Sequence, residues 1–230
     1  MKPLGDKMDS VRRREVARRI FSKELNDSTY VIREGEDKSP VYILTPLGLR
    51  CNRVFIIGAL LEKEEVRPDS GVWRIRLADP TGVFIGYIGR FQPNALESLL
   101  EIEPPALVSV VSKVRIFEGT TRTFVFLRPE QINLSDASSR DYWIVETAKA
   151  TLKRINSMEK DENEDVKLAK KIYNTNLEEY RRVVREVLTR IKEEYEIFEK
   201  IAKEEEAEEE EEFEFELEEE EWDLSDLLED

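Results

Sequence analysis

LADPTGVFIGYIG, residues 77–89, decides how this chain is read. Two apolar runs meet at Asp79-Pro80-Thr81-Gly82, residue types that make tight turns. With Pro80 and Thr81 at the turn centre, Ala78 faces Val83, Leu77 faces Phe84 and Arg76 faces Ile85. Further out, Ile75 faces Gly86 and Arg74 faces Tyr87. Side chains alternate along a strand, and directly opposed residues share a face. Trp73, Ile75, Leu77, Phe84 and Ile88 therefore fall on one face, and Arg74, Arg76, Ile85 and Tyr87 on the other. The first set is a core. The second is an arginine-tyrosine surface.

Working outward, the spacing predicts strands over 53–61, 72–78, 83–89, 106–117 and 122–132. One helix, 93–102, interrupts them and is stopped by Pro104-Pro105. Three strands, a helix and two strands is the order of a five-stranded Greek-key barrel, the OB-fold. The expected fold is thus mainly β: an OB-fold over residues 50–135, behind an N-terminal extension (1–49). C-terminal helices (136–203) and a disordered acidic tail (204–230) follow it.

The extension predicts a basic helix over 10–25, with Val16, Ala17, Ile20 and Phe21 at helical spacing, then strands over 29–32 and 41–44. Arg12, Arg13, Arg14, Arg18 and Arg19 could contact phosphates there, or simply face water. The helical region predicts two helices, 142–155 and 166–202. The second has a seam through Ala169, Tyr173, Leu177, Tyr180, Val184, Val187 and Ile191 that suits a hairpin or coiled coil. The tail interleaves acid with Phe213, Phe215, Trp222, Leu224, Leu227 and Leu228, the composition of a segment that folds onto a partner.

The totals narrow the function. The chain has 230 residues, one cysteine (Cys51) and no histidine. A histidine-dependent nucleophile is excluded, and no metal site or cofactor is expected. No phosphate-cradling GxxxxGK[ST] run exists, so an enzyme is not expected. Without a disulfide, an apolar span or a leader pattern, the expectation is an intracellular protein, cytoplasmic and nucleoid-associated, with no membrane partner. The net charge of −15 is a property of the tail. Residues 201–230 hold 18 acids and one base, Lys203, so the first 200 residues net +2. Residues 53–134 hold ten bases and ten acids, so charge alone neither supports nor excludes a nucleic-acid partner.

OB-folds bind oligonucleotides on the outer face of the second and third strands, where Arg74, Arg76 and Tyr87 are expected. Arginine neutralises phosphate, and an aromatic ring stacks a base for about 1–3 kcal/mol. Arg115, Phe117, Arg122, Phe124, Phe126 and Arg128 repeat the mixture on the last two strands, where either face could be the core. The first interstrand loop, 62–71, is acidic, which is poor for gripping DNA.

REVARRIF, YILTPLGLRCNRVFIIGAL, WRIRLADPTGVFIGYIGRFQPNAL, EPPALVSVVSK and RDYWIVETAKATLKRI, in this order between about residues 14 and 155, resemble the archaeal replication protein A small-subunit (replication protein A-associated) family. The resemblance implies a single-stranded DNA-binding complex of replication, repair and recombination. Tyr87 and Phe91 would stack bases. Tyr142, Ile144, Ala148, Leu152 and Ile155 would pack against other subunits of the complex. The long helix from Val166 and the acidic tail depart from the pattern, and the tail reads as a recruiter of replication or repair proteins. The alternative is an assembly subunit that holds DNA-binding partners and touches little DNA itself.

Overall fold

The computed structural model describes residues 14–33, 41–119 and 123–225; of these, the side chains of Glu118 and of residues 202–225 are not described. Residues 14–21 are extended rather than helical, and only α1 (Ser22–Asn26) forms a short helix. This corrects the helix expected over 10–25 for residues 14–21, while residues 10–13 lie outside the described residues. The cause lies in a strand far along the chain. The Arg18 amide donates to the Arg53 carbonyl and the Phe55 amide donates to the Arg18 carbonyl, both at 2.9 Å. Ile20 and Phe21 then drop into the core.

A small antiparallel sheet follows, of β1 (Tyr30–Arg33), β2 (Val41–Leu44) and β3 (Arg50–Cys51). The turn after β2 ends at Gly48, whose φ of +73° suits glycine. A Cβ there would also stand 2.9 Å from the Val166 side chain.

The barrel consists of β4 (Arg53–Glu65), β5 (Trp73–Asp79), β6 (Gly82–Ile88), β7 (Ala106–Glu118) and β8 (Thr123–Leu134). It closes in the order β4-β5-β6-β8-β7, with β6 and β8 parallel and the other pairs antiparallel. The pairing of β5 with β6 is the one the turn residues dictate, from Asp79 opposite Gly82 to Arg74 opposite Tyr87. Ile75, Leu77, Phe84 and Ile88 lie inside with Val108, Val110, Val114 and Leu127. Helix α2 (Pro93–Glu101) bridges β6 and β7, and Lys63 Nζ donates to its C-terminal carbonyls of Leu99 and Leu100. Closure in this order, with the helix between the third and fourth strands, makes the chain an OB-fold protein.

Asp79 does more than shape its turn. Its Oδ1 accepts from the Thr81 amide (2.7 Å), the Thr81 hydroxyl (2.8 Å) and the Ser22 hydroxyl (2.7 Å). Its Oδ2 accepts from the Ser22 amide at 2.7 Å. It thereby satisfies a free amide at the start of α1 from 57 residues away. The N-terminal segment and the β5–β6 turn are one hydrogen-bonded unit.

Helix α3 (Ala137–Lys160) is capped by Asp136, which accepts from the Ser139 amide. Its fully buried Trp143 donates from Nε1 to the Phe55 carbonyl at 2.8 Å and meets Phe21 edge-on. The buried Glu24 carboxylate accepts from Arg154 (2.6 Å) and from the Thr45 hydroxyl (2.8 Å).

The helical pattern from Val166 is broken, so among the described residues three helices stand after the barrel where two are expected. α4 (Glu164–Ile172) and α5 (Leu177–Ser225) are separated by an extended Tyr173. The Tyr173 hydroxyl accepts from the amides of Thr29 and Tyr30 and donates to the Leu44 carbonyl, contacts a continuous helix would not make. Leu44, Leu47, Ile155, Met158, Val166, Ala169 and Tyr180 form a second core here. By contact the chain divides into two units, one through Val184 and one from Arg185 onward. The boundaries expected at 49/50 and 135/136 fall inside the first. The second unit is the remainder of α5, with Tyr195, Ile197, Phe198 and Ile201 exposed.

Candidate nucleic-acid interface

The β7–β8 register settles which face of TRTFVFLR is core. Val125 and Leu127 point inward, while Phe124, Phe126 and Arg128 lie on the outer face. On β7, Phe117 stands opposite Phe124 and Arg115 opposite Phe126. The pairing of β6 with β8 brings Tyr87 to the same surface. The result is a row of four rings across three strands. Tyr87 meets Phe126 edge-on with centroids 5.6 Å apart. Phe126 to Phe124 is 6.2 Å, and Phe124 to Phe117 is 5.1 Å. Phe117 is 53% and Phe124 40% exposed. Such rings cost hydrophobic free energy unless something covers them.

Phe91, just after β6, is 72% exposed. The guanidinium of Arg90 lies 4.9 Å, and that of Arg128 5.9 Å, from its ring centre. Arg128 thus joins Phe91 to the strand that carries Phe124 and Phe126. Burial, and then the like charge of Arg128, push the Arg115 pKa below its ordinary value, with Glu130 opposing. Glu130 is itself within ion-pair reach of Arg53 (2.6 Å) and Lys113 (3.7 Å). Among the described residues no carboxylate lies within ion-pair distance of Arg90, Arg115 or Arg128. Two neighbouring guanidiniums with no ion-pair partner among the described residues are a place where a phosphate lowers the electrostatic energy.

The arginines expected to lead the site are placed differently. Arg74 and Arg76 do share the outer face with Tyr87, but they are paired across β4. Arg74 lies 2.8 Å from Glu64 and 3.8 Å from Glu62, and Arg76 lies 3.2 Å from Glu62. The structure therefore gathers Tyr87, Phe91, Arg115 and Phe117 with Phe124, Phe126 and Arg128 of the last strand, and adds Arg90. It sets Arg74 and Arg76 at the margin. Arg122 lies outside the described residues. Arg90 is the residue that sequence reading misses; its position directly before Phe91 is the available signal.

Of the expected assembly residues, Ile144, Ala148 and Ile155 are buried within this chain, and only Tyr142 and Leu152 are exposed on α3. The burial of these three has a plain cause. The apolar stripe of α3 is consumed by packing within its own chain, where Trp143 bonds to β4 and Ile155 joins the second core. Of the tail residues, Phe213, Phe215, Trp222 and Leu224 fall on α5 beyond the described side chains. Leu227 and Leu228 lie outside the described residues. Among the described residues no helix is long and apolar enough to cross a membrane.

No protein-family model matches the chain, and no curated protein sequence matches it. Solved structures that resemble it include a chain of a replication protein A heterotrimer bound to ssDNA. That chain is 11% identical, the match covers 61% of this chain and 98% of that one, and the TM-score is 0.43. The mitochondrial single-stranded DNA-binding protein Rim1 of S. cerevisiae is 21% identical over 36% of this chain and 91% of its own, with a TM-score of 0.29. An OBody bound to hen egg-white lysozyme is 16% identical over 38% and 98%, with a TM-score of 0.33. Likeness at this level carries no argument about function, which rests on the surface itself.

Proposed function

We propose that this chain binds single-stranded DNA without sequence preference, as a subunit of a replication protein A-type complex in DNA replication, repair and recombination. The observation that carries the reading is the outer row of Tyr87, Phe126, Phe124 and Phe117, flanked by Phe91 and by Arg90, Arg115 and Arg128. Rings at these spacings accept unstacked bases, and the arginines neutralise the backbone that links them. The motifs between residues 14 and 155 support placing the chain beside the archaeal small subunits of such complexes. Tyr142 and Leu152 are then the α3 residues offered to other subunits, and the acidic segment recruits replication or repair proteins.

The test is fluorescence anisotropy of the full chain with a labelled oligo-dT of about 30 nucleotides at two salt concentrations. Binding that weakens steeply with salt is expected. The Phe91→Ala/Phe124→Ala variant removes two exposed rings and should bind at least about tenfold more weakly with an unchanged urea midpoint. No binding at either salt would leave the assembly reading. Exposed Tyr142 and Leu152, and Tyr195, Ile197, Phe198 and Ile201 on α5, favour that reading as the second choice.

A further inference from the structure

We infer that Glu62 and Glu64 are specificity-determining residues: they occupy Arg74 and Arg76, so that the barrel favours strands with free bases over duplex. The inference rests on the reading of this surface as a DNA site.

A bulge in β4 makes the arrangement possible. Up to Leu60, opposite Leu77, pairing is regular; one step later Glu62, not Leu61, stands opposite Arg76. Continued without the shift, the register would set Glu62 against Ile75, a core position, and Lys63 against Arg74. The extra residue, Leu61, is exposed instead, and both acids arrive on the arginine face, Glu62 opposite Arg76 and Glu64 opposite Arg74. Bulges often re-aim side chains beside functional sites. Arg74 also stands opposite Tyr87, the first ring of the aromatic row, so the paired charges adjoin the stacking surface. Its Nε is buried and has no hydrogen-bond partner, so the carboxylates meet the guanidinium only through its Nη end.

All four side chains are partly exposed, and exposed ion pairs are weak. A phosphate can displace these carboxylates, but its gain is reduced by the pair it breaks. That reduction weighs unequally on the two forms of DNA. Duplex offers this surface mainly phosphates at high charge density, and its binding follows the number of cations available. A single strand also stacks its bases on the rings, a contribution the acids leave untouched. Holding two arginines in internal pairs therefore lowers duplex binding more than single-strand binding.

The experiment compares the full chain with its Glu62→Gln/Glu64→Gln variant, using a 30-nucleotide oligo-dT and a duplex of about the same length at one low salt concentration. Glutamine keeps the shape and removes the charge. The duplex should bind roughly two- to tenfold tighter in the variant, and the single strand should gain less. In an Arg74→Gln/Arg76→Gln background the same change should give no gain. Equal gains for both DNAs, no gain at all, or a gain that survives loss of the arginines would each overturn the inference. The proposed function is judged separately by the unaltered chain. If that chain binds oligo-dT and loses binding in Phe91→Ala/Phe124→Ala, the DNA site stands whatever the glutamates do. If neither the unaltered chain nor the glutamine variant binds DNA, both readings fall.

Discussion

Asp79 shows how much one side chain of a common turn can hold. The residue is half-buried, yet its carboxylate is enclosed by four donors from Ser22 and Thr81. Asparagine offers one oxygen and would turn an NH2 group toward a donor. Asp79→Asn should therefore cost about 1–3 kcal/mol at neutral pH, read as a lower urea midpoint. The turn and its register are legible in the sequence because Asp, Pro, Thr and Gly specify local geometry. The clasp on Ser22 is not, because its partners lie 57 residues apart.

The same contrast governs the elements. β5, β6 and α2 announce themselves by alternation, turn residues and Pro104-Pro105. The bulge in β4 does not, since Leu61-Glu62-Lys63-Glu64 alternates plausibly in either register. The outer rings of β8 are ambiguous for a related reason: Phe124, Val125, Phe126 and Leu127 are all apolar, and only pairing with β6 and β7 decides which pair faces water. Residues 14–21 carry a helical spacing that an unfilled stretch of β4 overrides. The gap between α4 and α5 hides inside a seam of period three and four because Tyr173, read as one more seam position, leaves the helix to bind three backbone groups. Tyr173→Phe deletes that hydroxyl alone. It should cost about 1–2 kcal/mol in urea unfolding, at the low end because water reaches the two amides it serves.

At the scale of the molecule, the barrel is not closed off from what surrounds it. Phe55 and Arg53 on β4 are bonded to Arg18 and Trp143, and Glu24 is buried against Arg154. A chain ending at Leu134 would retain every barrel strand yet lose Trp143 and Arg154. Removing one partner of a buried pair strands a charge, at about 3–5 kcal/mol. Loss of the tryptophan contacts adds a similar amount. Such a fragment should show no cooperative urea transition, whereas a chain ending at Val184 should unfold in one step. Measuring tryptophan fluorescence of both against urea decides the point, since each keeps Trp73. The Glu24–Arg154 pair also sets an order of events during synthesis. While the ribosome is still adding residues beyond the last barrel strand, Glu24 has no cation to receive it and its segment must stay in water. The nascent barrel is therefore left open at that seam until about 130 further residues have followed Glu24 out of the exit tunnel, and a factor that shields apolar surface would act in that interval.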